Sequence, residues 1–438
     1  MPKIAFIGAG SSTFARNLLS DILSYDALAG SEIALMDIDP ERLNKTRKLA
    51  VAMVDQHDLA ATVTTTTDRE AALDNADYVL NAINVGGRKP FENEIEIPRG
   101  YGVKQAVGDT LGPGGVFRAM RTLPVLLDIA HDMEVYCPDA LLLNYTNPMA
   151  ILCWAVDEAT DVEVVGLCHS VQHTADALAH YANVERDDLE YWVAGINHMA
   201  WFLDATADGE SIYPALSSAA ESDEVYDSDS VRFELLDHFG YFVTESSHHL
   251  SEYLPYFRTD EEIIADLTVE EEVERGGHTA VWMETGSYLD FWLDSSEGST
   301  DTDLKDIELK HSNEYAATII NAIEMDTACR VNVNVRNQDH SISNLPAEAC
   351  VEVPCLVDGR GIHPCSVGDL PEQLAALIRT NISVQERAVE AGLHCSENAL
   401  RQAVKLDPLT GAALSLNEVD TMVDDLLNAN ETYLPSFK

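Results

Sequence analysis

Val164-Val165-Gly166-Leu167-Cys168-His169-Ser170-Val171 ends a short apolar run on a thiol, an imidazole and a hydroxyl. That pattern suits a strand delivering polar groups to a site, although a cysteine is often buried as a small inert hydrophobe. Asn197-His198 follows about thirty residues later and offers another imidazole. A thiolate and an imidazole together can hold a divalent transition metal. Each alone is more often structural, so their types and spacing leave both readings open.

A second chemical signal opens the chain. Ile7-Gly8-Ala9-Gly10-Ser11 follows an apolar run and precedes a helical pattern. Gly8, Gly10 and Ser11 form a G-x-G-S turn whose backbone can approach a pyrophosphate lying at a helix N-terminus. Thr13 stands where a third glycine is usual. The next apolar run, Ile33-Ala34-Leu35-Met36-Asp37, ends on a carboxylate suited to ribose hydroxyls. Asp37 favours NAD over NADP, because it would repel a 2′-phosphate.

The elements that must position these groups follow from periodicity. Apolar runs at Lys3–Ile7, Glu32–Ile38, Asp77–Ile83, Ala140–Tyr145 and Glu163–Leu167 predict strands. Thr13–Leu28 and Arg121–Met133 carry helical spacing between them. The alternation predicts an α/β fold with a parallel sheet and a Rossmann-type NAD-binding domain over residues 1–195. Residues 196–438 read as a mixed, mainly helical C-terminal domain for substrate, metal and oligomerisation. Helices are expected at Glu308–Glu324 and Leu370–Gly392, strands at Cys329–Val335 and Ala349–Val357, and a polar surface excursion at Ser217–Ser230.

Composition narrows the class. The 438 residues are 46% hydrophobic and 23% charged, enough for a sizeable core. Against 27 basic residues stand 75 acidic ones, a net charge of -48. The excess is dispersed, with denser runs at Asp260–Glu262 and Glu270–Glu272. Nucleic acid and anionic membrane are poor partners for such a surface. The balance resembles halophilic proteins working in near-saturating salt, where repulsion is screened within roughly 3 Å. Loss of activity and structure in dilute buffer is therefore expected, and full stability without salt would refute that expectation. The eight scattered cysteines contain no C-x-x-C pair and read as reduced thiols of a cytoplasmic protein. No signal peptide is visible, and no apolar run reaches the roughly 18–20 residues that span a bilayer.

Further segments sharpen the reading: Val107-Gly108-Asp109-Thr110-Leu111-Gly112-Pro113-Gly114-Gly115, Asn144-Tyr145-Thr146-Asn147-Pro148-Met149, Gly195-Ile196-Asn197-His198 and Val351-Glu352-Val353-Pro354. Together with the G-x-G-S turn and Cys168-His169-Ser170, their order closely resembles glycoside hydrolase family 4. The resemblance covers nearly the whole chain. These NAD- and manganese-dependent glycosidases share the fold of lactate and malate dehydrogenases, and are an exception to two-carboxylate glycosidase chemistry.

The resemblance implies that Cys168 and His198 hold a divalent metal, usually manganese, with substrate hydroxyls completing its shell. It implies hydrolysis through NAD-mediated oxidation at C3, elimination, water addition and re-reduction. Asp109 matches a carboxylate beside the site, and Glu245, in Phe242–His249, falls where some members carry an acidic residue able to act as the C2 base. Some members use a tyrosine instead. Asn147 matches an asparagine that holds a sugar hydroxyl, and His169, following Cys168, resembles the α-galactosidase branch. The expected substrate is a small α-galactoside, and the expected assembly a homodimer or homotetramer. The alternatives are an α-glucosidase or hexuronidase of the same family, an NAD-dependent dehydrogenase, and a non-catalytic nucleotide sensor.

Overall fold

The apolar runs near the start of the chain resolve into parallel strands separated by helices, as their alternation requires. The computed structural model describes residues 1–10, 12–267, 304 and 307–438. Ser11 and the acidic run Glu270–Glu272 lie outside the described residues. Six strands, β1 (Lys3–Ile7), β2 (Glu32–Met36), β3 (Thr62–Thr66), β4 (Tyr78–Asn81), β5 (Leu141–Asn144) and β6 (Val164–Gly166), pair in parallel in the order β3-β2-β1-β4-β5-β6. This is the strand order of dinucleotide-binding sheets, which bind their ligand at the carboxyl ends of the strands.

Most of these strands are shorter than the apolar runs that announce them. Glu32–Ile38 closes at Met36 and leaves Ile38 87% exposed, because the chain turns at Asp37 into the next helix. Asp39 caps that helix, Pro40–Gln56, by accepting from the backbone N–H groups of Glu41 and Arg42. Met149–Ala159 is buried from Met149 to Val156, and its apolar residues cover every face, so it runs through the core. Arg121–Met133 is the middle of a longer helix, Gly112–Tyr136. A fully buried ion pair ties that helix to Arg88–Tyr101, with Arg121 Nε 2.6 Å from Glu94 Oε1. The two helices flank the loop that carries Asp109.

The second half is mixed and mainly helical, and it carries strands as well. β7 (Leu189–Ile196), β8 (Met199–Ala207), β9 (Glu210–Ser211), β10 (Cys329–Arg336), β11 (Cys350–Asp358) and β12 (Gly361–Pro364) extend the same sheet through antiparallel pairs. The order continues β6-β10-β11-β7-β8-β9, with β12 on the side of β11. Leu370–Gly392 appears as the helix Glu372–His394, packed with Glu397–Leu406 and Leu416–Asn430 further along. Ser217–Ser230 runs through parts of the short helices Tyr213–Ala219 and Asp223–Ser228.

Glu308–Glu324 is a correction. Only Ala316–Met325 is helical. The residues before it are irregular and are tied to the first helix, Ser12–Ser24, where Lys310 N donates to Ser20 Oγ at 2.8 Å and Ser312 N to Asp21 Oδ1 at 2.6 Å. Side chains of another element take the backbone groups that a helix would use internally. Among the described residues no helix is long and apolar enough to cross a membrane.

Candidate active site

The turns that follow β1 and β2 stand on the carboxyl edge of the parallel strands. Gly8 has φ 89°, and a Cβ there would lie 2.6 Å from the carbonyl oxygen of Ala82, so only glycine lets β1 turn this close to the backbone that follows β4. Gly8 and Ala9 N–H donate to Met36 O at 3.0 and 2.9 Å. Asp37 closes the turn by accepting from Gly10 N at 2.7 Å and Asp39 N at 2.8 Å. The carboxylate that the sequence offers to a ribose thus also fixes the shape of the glycine turn.

β6 delivers Cys168 to the same edge, directly before the helix Ser170–Ala182. The residue is buried, and its thiol donates to Ser170 Oγ at 3.4 Å. Burial, with the nearby carboxylates Glu352 and Glu245, pushes that thiol up to about 11 against the opposing influence of His169 and Ser170. His169 turns outward, with Nδ1 3.1 Å from Glu314 Oε1. Burial opposes its protonation, but the Glu314 hydrogen bond and the negative groups nearby raise it to about 9.

His198 arrives from the other half of the sheet, in the two-residue turn between β7 and β8, with φ 63°. Its Nδ1 lies 2.9 Å from the Tyr253 hydroxyl, leaving Nε2 3.4 Å from Glu245 Oε2. Burial lowers the His198 pKa, which favours the neutral imidazole that metals bind. The Tyr253 hydroxyl oxygen can accept from Nδ1–H and so fix the ring when Nε2 is engaged. Glu245 stands at φ 73° after a stretch laid against β8, where Thr244 N donates to Ala200 O at 2.8 Å. Donor atoms of Cys168, His198 and Glu245 all lie within 4.8 Å of one another. Two of the three residues occupy the left-handed region, a strain of roughly 1–3 kcal/mol each that the surrounding structure must sustain.

A buried relay adjoins this group. His249 Nε2 lies 3.3 Å from Asp109 Oδ1, and its Nδ1 lies 3.5 Å from Glu245 Oε1. Burial works against every charge here, yet hydrogen bonds to both carboxylates hold His249 well above the ordinary histidine value. The same contacts, with Arg118 and His198 nearby, hold Asp109 below the usual carboxylate range despite its burial. Glu245 is likewise held well down, by His198 and His249. Asp109 also accepts from Thr110 Oγ1 at 2.7 Å and from Asn147 Nδ2 at 3.1 Å. The other amide atom of Asn147, Oδ1, is buried with no partner.

The structure therefore gathers Asp109, Asn147, Cys168, His198 and Glu245, with His169 at the rim. Three contributors escaped the sequence reading. His249 stands four residues after Glu245 in the short helix Ser247–Leu250, and its ring reaches back to that carboxylate. Glu252 accepts from the backbone N–H groups of Val107 and Gly108 at 3.0 to 3.2 Å and so seats the Asp109 loop. Tyr253 orients His198. Their signal was the dense polar wording of Glu245–Tyr253, which has no apolar period to explain it.

The comparisons with known proteins agree with this geometry. Residues 3–184 match the profile of family 4 glycosyl hydrolase, and residues 193–410 that of its C-terminal domain. An alpha-galactosidase of Bacillus subtilis (strain 168) is 44% identical over 443 residues, covering 100% of both chains. An alpha-galactosidase of Rhizobium meliloti (strain 1021) is 37% identical, covering 99% of this chain and 89% of its own. The 6-phospho-beta glucosidase of Thermotoga maritima, solved with manganese, NAD+ and glucose-6-phosphate, has the same fold with a TM-score of 0.79 at 22% identity, covering 99% of this chain and 100% of that one. The chain belongs to family 4 of the glycosyl hydrolases.

Proposed function

We propose that this glycosyl hydrolase cleaves α-galactosides, using NAD and a divalent metal, manganese first among them. The observation that carries the reading is the Cys168–His198–Glu245 group, set on the sheet edge that also bears the glycine turn. The full-length identity with an alpha-galactosidase supports the sugar. The cofactors named for the Thermotoga enzyme support NAD and manganese.

The residues present suit both groups. Gly8, Gly10 and Asp37 shape a dinucleotide turn, and thiol, imidazole and carboxylate form a donor set for a divalent cation. Several buried polar atoms around it lack partners, among them Asn147 Oδ1 and both side-chain atoms of Asn197. When bound, NAD supplies reversible hydride transfer at C3, and the cation supplies the positive charge that favours loss of the C2 proton.

The chain's own groups supply the rest. Cys168 and His198 hold the cation, and Glu245 balances charge beside it. His249 holds a proton between Asp109 Oδ1 and Glu245 Oε1, so this relay is suited to proton transfer in elimination and water addition. Asp109 orients the Asn147 amide, leaving Oδ1 to accept from a sugar hydroxyl. His169 and its partner Glu314 form a polar rim for the rest of the glycone. Glu314 Oε2 is buried without a partner, which suits acceptance from a hydroxyl and disfavours a uronate at that wall.

A net charge of -48 supports action in concentrated salt inside the cytoplasm. A division near residue 195 would assign the nucleotide to one part and His198 with Glu245 to the other, in a homodimer or homotetramer.

One assay tests the function. Incubation with p-nitrophenyl α-galactoside, NAD, manganese and reductant in high salt should release nitrophenol, and omission of NAD or manganese should stop it. The matching α-glucoside should react more slowly. Release independent of NAD overturns the mechanism, whereas NADH accumulating in step with substrate loss identifies a dehydrogenase.

A further inference from the structure

Glu352 is an anomaly in the sheet. It lies in β11, inside an otherwise apolar run, is 0% exposed, and neither carboxyl oxygen has a hydrogen-bond partner. A carboxylate costs several kcal/mol to bury unless a cation or donors compensate it. Glu94, equally buried, shows the usual answer in this chain, because it pairs with Arg121.

The register explains where Glu352 has been put. Gly166 pairs with Asn334, Asn334 with Glu352, and Glu352 with Gly195, one row across β6, β10, β11 and β7. Gly166 precedes Cys168 by two residues, and Gly195 precedes His198 by three. Glu352 thus stands between the two strand ends that bring the thiol and the imidazole together. Its partner across the antiparallel pair, Asn334, shares its face and also carries a buried unpartnered oxygen, Oδ1. The charged groups that act on Glu352 are His198 and Glu245, and Glu352 in turn acts on the Cys168 thiol. No lysine or arginine is among those charges.

We propose that Glu352 is a further acidic residue of the cation site, its carboxylate facing the divalent ion held by Cys168 and His198 and setting how tightly that ion is held. The proposal rests on the reading that this site takes a divalent cation. Burial, opposed by His198 and aided by Glu245, pushes the Glu352 carboxyl up to about 8, so the metal-free protein keeps it protonated and a bound cation would supply the counter-charge that lets it ionise. The donor atoms within 4.8 Å of one another come from Cys168, His198 and Glu245, and the Glu352 charge beyond those three adds to the negative field that a hard ion such as manganese favours.

Manganese binding tests it directly. The full chain with NAD, in high salt and without substrate, is titrated with Mn2+ while the electron paramagnetic resonance signal of the free ion is followed. Glu352→Gln keeps the shape and removes the charge. It should weaken manganese binding about tenfold or more, with the thermal midpoint of the metal-free protein unchanged or raised. Affinity within twofold of the parent overturns the proposal, and a change in midpoint alone does so too, because it marks a structural acid. Should the Gln variant not fold, Glu352→Asp withdraws the charge by one methylene. It should bind manganese several-fold more weakly, and unchanged affinity counts against the proposal. Failure of the parent to bind manganese is a separate result, which removes the cation site itself.

Discussion

Cys168→Ser is expected to lower kcat/KM about a thousandfold or more and to abolish manganese rescue, while the protein stays folded. Lewis-acid stabilisation is worth several kcal/mol, and each 1.4 kcal/mol is about a factor of ten in rate. The thiol's hydrogen bond in the metal-free protein goes to Ser170, and a serine hydroxyl can replace it, so stability should change by less than about 1 kcal/mol. Manganese titrations and steady-state rates on α-galactoside, with denaturant unfolding alongside, separate the two effects. The burial that pushes the thiol up to about 11 adds a pH signature. A coordinating thiol must shed its proton, so manganese affinity should rise with pH and binding should release a proton. Parent-like manganese affinity in the serine variant would remove Cys168 from the site.

His249→Gln should cost about 3–5 kcal/mol of stability and at least a hundredfold in kcat/KM. The imidazolium is buried between Asp109 and Glu245, and removing one member of a buried ionic cluster leaves uncompensated charge. General acid–base groups typically contribute 10²- to 10⁴-fold to rate, which sets the scale of the kinetic loss at roughly that size. The pH dependence carries the sign. His249 is raised, so its contribution is full below the ordinary value of about 6.5 and is lost as pH rises through the folded value. Asp109 is lowered, so its contribution is present above about 3.9 and is lost as pH falls through its depressed value. The pair therefore stabilises most between about pH 4 and 6.5. Urea unfolding across pH at constant high salt should show this plateau in the parent. The variant should lose the alkaline slope, and its acid slope should move to higher pH as Asp109 loses its cation. A variant with an unchanged pH profile would show that His249 carries no charge in the relay.

Five of the six parallel strands were readable because each is a local apolar run with a local turn signal, whereas β3 is a largely exposed threonine run that no such signal marks. Lys3–Ile7 kept its bounds, while Glu32–Ile38 lost its tail to the Asp37 turn. Glu308–Glu324 misled for a related reason: its apolar period records burial against the first helix, and the hydrogen bonds of Ser20 and Asp21 decide its conformation. Ala316–Met325 remained helical because those side chains do not reach it. The antiparallel row through β10, β11 and β7 was not legible, because its pairings join residues far apart in the chain.

The site divides in the same way. The sequence by itself determined the donors: a thiol at the end of β6, the glycine turn with Asp37, and Asn197-His198, whose joint wording marks the family. These depend on residue identity and short spacing, which the chain states outright. Only the tertiary structure decided that Glu245 closes the Cys168–His198 group to within 4.8 Å, that His249 bridges two carboxylates, and that Glu352 is buried without a partner. Burial and charge pairing are properties of neighbours in space, and a carboxylate reads the same in a sequence whether water, a histidine or a cation awaits it.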